Sequence, residues 1–177
     1  DRDPFNPAVW FNLGIACNRM AQFDKALEAY DFTIALNEGY FHAFFNKANS
    51  LANLARYREA IASYREYLKF DPENDDALCY IGECYLNLGR YRMAKRFYLK
   101  ALEINPENDV ALFSSGLIFW MDKKPEISIR LMKRALDIEK NSVDYWFAYA
   151  RVLSDSTNYK EALAAFRKAA SMNPENP

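Results

Sequence analysis

Residues 75–108 read DDALCYIGECYLNLGRYRMAKRFYLKALEINPEN, and the rest of the chain is a set of variants on this stretch. Leu78, Ile81, Gly82, Tyr85 and Leu86 recur at three- and four-residue spacing, the mark of one apolar helical face. Leu88-Gly89-Arg90 breaks the pattern, and a glycine there suits a left-handed residue just past a helix end. Ala94, Phe97, Tyr98, Ala101 and Leu102 then resume helical spacing. Asn105-Pro106 closes the second helix, because proline cannot continue it and pushes the preceding residue out of the α region. The stretch predicts helix, tight turn, helix, stop. Small Gly82, Ala94 and Ala101 fall where the two helices must approach closely.

Displaced by its own length, the unit matches again. Five blocks of 34 residues, 7–40, 41–74, 75–108, 109–142 and 143–176, follow without insertion or deletion. One helical pair cannot bury its apolar face alone, so such blocks stack on their neighbours. Residues 1–6 read as the tail of a preceding block, with Pro4 where a closing proline would stand, and Asn173-Pro174-Glu175-Asn176-Pro177 as a link to a further one. On that reading 1–177 is a single array segment excised from a longer chain.

The positions carry a family resemblance. Trp10, Leu13, Gly14, Cys17, Ala26 and Tyr30 in the first block resemble the tetratricopeptide pattern W-x2-L-G-x2-Y, A-x3-F, P. So do Phe44, Ala48, Leu51, Ala60, Tyr64 and Pro72 in the second, and Leu78, Ile81, Gly82, Tyr85, Ala94, Tyr98 and Pro106 in the third. The fourth keeps Leu112, Gly116, Phe119 and Ala135 but carries Ser128 and Met132 for the small and aromatic pair. The fifth has Trp146, Tyr149, Ala150, Leu153, Ala162, Phe166, Ala169 and Pro174. The resemblance implies an all-α, right-handed α-solenoid of five helix-turn-helix repeats that binds proteins or peptides in a concave groove.

Composition excludes several other classes. The chain is 51% hydrophobic and 16% aromatic, with a formal net charge of −1 and no basic run beyond Lys123-Lys124, so the basic stripe that nucleic acid needs is missing. The longest apolar run, 116–121, is far too short for a bilayer. Cys17, Cys79 and Cys84 are odd in number and lack metal-ligand spacing, so neither a disulfide framework nor zinc is expected. Free thiols favour a reducing, cytoplasmic setting. His42 is the single histidine and reads as a surface residue. No nucleophile, phosphate loop or metalloprotease motif appears, so no catalytic residue, cofactor or metal is expected. Asp75-Asp76 and Glu107-Asn108-Asp109 precede first helices, where acidic side chains suit the helix dipole.

By the resemblance, positions 2, 5, 6, 9, 12 and 13 of each block line the groove. Six of the eighteen such positions in the first three blocks are Asn: Asn12, Asn18, Asn46, Asn49, Asn53 and Asn87. Asn is a poor helix former, so the series reads as a ladder of amides for the backbone of an extended peptide, with Asn12, Asn46 and Asn49 at its centre and Phe45 and Tyr80 beside them. The carboxylate clamp of chaperone-binding arrays is missing. Its positions here hold Phe11, Ile15, Asn46, Asp76 and Tyr80, of which Asn46 alone fits. The first helix of block four is apolar on nearly every side, and such a helix is normally buried all round. Val110, Phe113, Leu117, Trp120 and Met121 make one stripe on it, which Phe147 continues; this is a second expected contact, for an apolar or amphipathic helix. Leu163, Phe166, Ala170 and Met172 on the last helix are expected to expose an apolar edge that allows homo-association. The function expected is a peptide-binding scaffold. The alternatives are a structural or self-associating segment, or the substrate-recruiting arm of a larger enzyme.

Overall fold

The computed structural model describes residues 5–172. Pro4 and the segment 173–177 with Pro174, read above as links to neighbouring blocks, lie outside the described residues. Among these there are ten helices and no strand. They are α1 (Pro7–Arg19), α2 (Phe23–Leu36), α3 (His42–Asn53), α4 (Tyr57–Tyr67), α5 (Asp75–Asn87), α6 (Tyr91–Ile104), α7 (Asp109–Met121), α8 (Pro125–Ile138), α9 (Val143–Asp155) and α10 (Tyr159–Met172). The chain forms two compact units, residues 1–94 and 95–177. In the first unit α1 packs on α2, α2 on α3, α3 on α4 and α4 on α5, and α1 and α3 also touch. In the second, α7 packs on α8, α8 on α9 and α9 on α10, and α7 touches α9. Within each unit these helices are held by their sequence neighbours, as a stack of repeats requires.

The helix starts follow from side chains one period apart. Asn6, Asn74, Asn108 and Ser142 cap α1, α5, α7 and α9, accepting from the N–H of Ala8 (3.0 Å), Ala77 (2.9 Å), Ala111 (2.8 Å) and Tyr145 (3.3 Å). Tyr40 stands at that register in the second block, and α3 has Phe41 at its N-cap position without a side-chain cap. Asp75, Asp76 and Asp109 lie in the first turns of their helices, as their sequence position implied.

The turns repeat more strictly than the sequence does. Ala21, Ala55, Gly89, Lys123 and Thr157 all have positive φ, between 55° and 69°. After each, the next N–H reaches back five residues: Gln22 to Cys17, Arg56 to Leu51, Arg90 to Tyr85, Lys124 to Phe119 and Asn158 to Leu153, at 2.8–2.9 Å. This is the left-handed helix stop. Only the third block meets it with glycine, and a left-handed L-residue costs roughly 1–2 kcal/mol, most severely when β-branched. Thr157 is exposed, so its side chain contributes little packing. Thr157→Gly is therefore expected to raise unfolding stability by about 1 kcal/mol in urea titration. No gain would mean that the turn relaxes around threonine without strain.

Inside the helix pairs, small residues let the backbones approach. Ala26, Ala60, Ala94 and Ala162 are buried at one register, and Ser128, fully buried, takes that register in the fourth block. Tyr30, Tyr64, Tyr98 and Met132 fill the space four residues on, each 0–1% exposed. Leu13 departs from the sequence reading: it is 46% exposed, whereas its counterparts Ile81 and Ser115 are fully buried. That register packs on a preceding helix pair, and among the described residues none precedes α1. Trp10 is half-buried, stacked on Phe32 with ring centroids 4.6 Å apart.

Candidate functional site

In the first unit, the inward positions of α3 and α5 enclose an open cleft of about 490 Å3. Asn49, Ala52 and Asn53 come from α3, and Tyr80, Glu83, Cys84 and Asn87 from α5; Tyr57 and Tyr64 of α4 complete it. Tyr64 and Tyr80 stack with centroids 5.7 Å apart and planes 9° from parallel. Phe45 meets both edge-on, at 5.6 Å and 5.7 Å. The structure thus brings together Phe45, Asn49 and Tyr80. Asn46 stands one turn before Asn49 on α3, half-buried, and Asn12 is exposed on α1 away from the cleft.

The amides do not all face outward as equals. Asn49 Oδ1 accepts from the buried Tyr64 hydroxyl, so this amide is half engaged inside its own repeat. The Nδ2 groups of Asn46, Asn53 and Asn87 donate back to the carbonyls of His42 (3.1 Å), Asn49 (2.8 Å) and Glu83 (3.0 Å). Their oxygens keep their accepting capacity. Asn18 belongs to the packing as well, since its oxygen accepts from Ser50 Oγ of the next block at 2.9 Å. In part, then, the Asn series serves the helices that carry it. Spacing alone could not separate these roles, because an amide at a groove position also lies within reach of its own helix and of the aromatic residue below.

Sequence reasoning had put Glu83 and Asn87 at groove positions of the third block, and missed Tyr57 and Tyr64 as wall residues. Tyr64 holds the register of a core aromatic and is 1% exposed, yet it lines the cleft. Burial, then Cys84, Tyr80 and Glu83, hold its phenol well above the ordinary value. Burial, then the carboxylates Asp76 and Glu83, raise that of Tyr80. Burial, followed by Glu83, pushes the Cys84 thiol up to about 12. It stays protonated at neutral pH and is no nucleophile. All three cysteines are free and buried.

In the second unit, α7 is not buried all round, contrary to the expectation from its composition. Its buried face is Ala111, Leu112, Ser115, Gly116 and Ile118, while Val110 is 45% and Met121 53% exposed. Small Ser115 and Gly116 draw the neighbouring helices onto one side, which leaves the large residues at the margin. The stripe is broken into covered and open parts. Phe113 stacks on Tyr145 at 4.0 Å, and Tyr145 is tied to Asp109 by a 3.0 Å hydrogen bond. Leu117 and Trp120 are half-buried against the core of Met132, Tyr149, Val152 and Leu153, and the Arg151 guanidinium lies 5.3 Å from the Trp120 ring centre. Phe147 is 50% exposed and touches Phe166 edge-on at 5.8 Å. On α10, Leu163 is 50% exposed, Ala170 is exposed, and Phe166 and Met172 are half-buried. No helix among the described residues is long and apolar enough to cross a membrane.

Known proteins bear on this geometry. Sequence profiles described as tetratricopeptide repeat match residues 19–75, 75–108 and 143–176. Protein O-mannosyl-transferase Tmtc3 of Drosophila melanogaster is 28% identical over 86 residues, 49% of this chain and 9% of that protein. The general transcriptional corepressor ssn6 of Schizosaccharomyces pombe is 30% identical over 81 residues, 46% of this chain and 7% of that protein. The chain thus spans less than a tenth of these curated relatives. Among solved structures, MamA 41-end from Desulfovibrio magneticus RS-1 superposes with a TM-score of 0.84 at 20% identity over 96% of each chain. Pseudomonas aeruginosa pilF does so with 0.84 at 19%, over 96% of this chain and 78% of that one. YrrB, described as a TPR protein with an unusual peptide-binding site, gives 0.75 at 18%, over 98% and 90%. At such identity the likeness is one of fold, the right-handed α-solenoid. Together with ten helices in consecutive pairs and profile matches over 19–108 and 143–176, it leads to one conclusion: the chain belongs to the tetratricopeptide repeat family.

Proposed function

We propose that this protein-interaction scaffold binds its partner as an extended peptide laid along the first-helix face of the unit formed by residues 1–94. The observation that carries the reading is the cleft between α3 and α5. Its volume falls in the range of about 300–1,000 Å3 usual for ligand sites, and aromatic walls combine there with amide oxygens that have accepting capacity left. An extended backbone offers an N–H at every residue, which such oxygens take up, and Tyr80, 40% exposed, gives a rigid surface for a side chain. YrrB, a fold relative, has a peptide-binding site by its own description. In the other unit, Trp120 and Phe147, with the outer margins of Phe113 and Leu117, offer a separate apolar contact.

Selection from a library of short random peptides, followed by titration, tests the reading. Asn46→Ala is expected to weaken the selected peptides by about 1 kcal/mol, the scale of one net hydrogen bond. Stability should hardly change, because the Asn46 amide group donates only to its own helix. Selected peptides that bind equally well to Asn46→Ala and Tyr80→Ala variants would overturn this reading.

A further inference from the structure

The cleft carries charge of one sign. The described residues that line it include one charged group, Glu83, and no Lys or Arg. Glu83 is exposed on α5 and makes no ion pair among the described residues. Beside it, Asn53 and Asn87 have spent an N–H on carbonyls of their own helices, which leaves their side-chain oxygens as acceptors. Tyr64, whose hydroxyl donates to Asn49, and Tyr80 stack in parallel and supply the electron-rich wall. An anion, amide oxygens and aromatic faces around one opening all attract the same thing: a cation with several N–H donors.

We propose that the α3–α5 cleft receives an arginine side chain of the bound peptide, with Glu83 as its counter-charge and the Tyr80 ring as its stacking surface. The proposal rests on the peptide reading above and adds the chemistry of the residue recognised. Arginine fits better than lysine. Its flat guanidinium can lie on Tyr80 while its fork of donors reaches the carboxylate and the Asn87 oxygen together; an ammonium is a single, strongly hydrated point. The polarity is opposite to that of a clamp for carboxylates, which needs cations where this chain has Asp76 and Tyr80.

The test uses peptides selected from the random library on the whole chain. Arginine is expected at one fixed position. Changing it to citrulline, which has the same shape without the charge, should weaken binding about tenfold, in keeping with the loss of a charge-assisted hydrogen bond. Lysine at that position should fall between the two. The Glu83→Gln variant, altered at an exposed site, should bind the arginine and citrulline peptides alike. Selected peptides that depend on Asn46 and Tyr80 but lack arginine, or bind equally with citrulline, would overturn the arginine proposal and leave the peptide reading standing. Equal loss of both peptides on Glu83→Gln would also overturn it. Failure to select any peptide sensitive to Asn46→Ala and Tyr80→Ala would overturn both.

Discussion

Tyr64→Ala is expected to lower unfolding stability by about 4 kcal/mol, the scale of removing a fully buried aromatic side chain. The ring is 1% exposed and holds Phe45 and Tyr80 in place. Its loss opens a cavity under the α3–α5 cleft, so peptide binding should fall with stability. Tyr64→Phe separates the two parts of the role. It keeps the ring and removes the bond to Asn49, and should cost about 1 kcal/mol. Tyr30→Phe, at the same register one block earlier, should go the other way. Burial pushes the Tyr30 phenol up to about 12, and its hydroxyl has no hydrogen-bond partner among the described residues. The Asn18 side chain is close enough to offset part of that rise but makes no bond of normal geometry to it. Ile15 stands at the register that Asn49 fills in the next block. Removing a buried, unpartnered hydroxyl should gain up to about 1 kcal/mol. Urea titration of the three variants checks the set, and equal losses for Tyr30→Phe and Tyr64→Phe would refute the account of Asn49.

The second large effect is expected at Gly14. A Cβ there would lie under 3.0 Å from three atoms of the Tyr30 ring, which is fully buried and lies beside Phe11 with ring centroids 6.0 Å apart. Overpacking of this kind costs up to about 3 kcal/mol, and the helix propensity gained on leaving glycine returns at most about 1. Gly14→Ala should therefore destabilise the protein by about 2 kcal/mol. Gly116→Ala meets one atom under 3.0 Å, Met132 Cγ at 2.8 Å, with the Ser128 carbonyl oxygen at 3.4 Å, and should cost less, about 1 kcal/mol. If the two variants lose stability equally, the Tyr30 ring moves as easily as the methionine.

Gly14, Ala48, Gly82, Gly116 and Ala150 occupy one register, so the sequence reads that position only as small. Which of these sites tolerates a methyl group depends on the partner across the helix pair. The same holds for the groove. Asn46 and Asn49 look alike in a ladder, and the position of Tyr64 makes one of them half structural. α7 shows the limit from the other side. Its composition predicts burial on every face, but small Ser115 and Gly116 decide which face the neighbours take, and Val110 and Met121 remain open.

The sequence by itself determined the helix pairs and the family. A 34-residue recurrence of small, aromatic and stop residues is a local property repeated many times, and each copy strengthens the others. It also placed the Asn side chains on the first-helix positions, by resemblance to the family. Only the tertiary structure decided which way those side chains are used. A buried phenol must find an acceptor, and a free amide N–H turns to the nearest carbonyl. Both contests are settled by distances of about 3 Å between residues far apart in the chain or one turn apart on a helix. Their outcome leaves the Asn53 and Asn87 oxygens as acceptors beside Glu83 while the Asn49 oxygen is taken by Tyr64, a division that no count of residues along the chain could express.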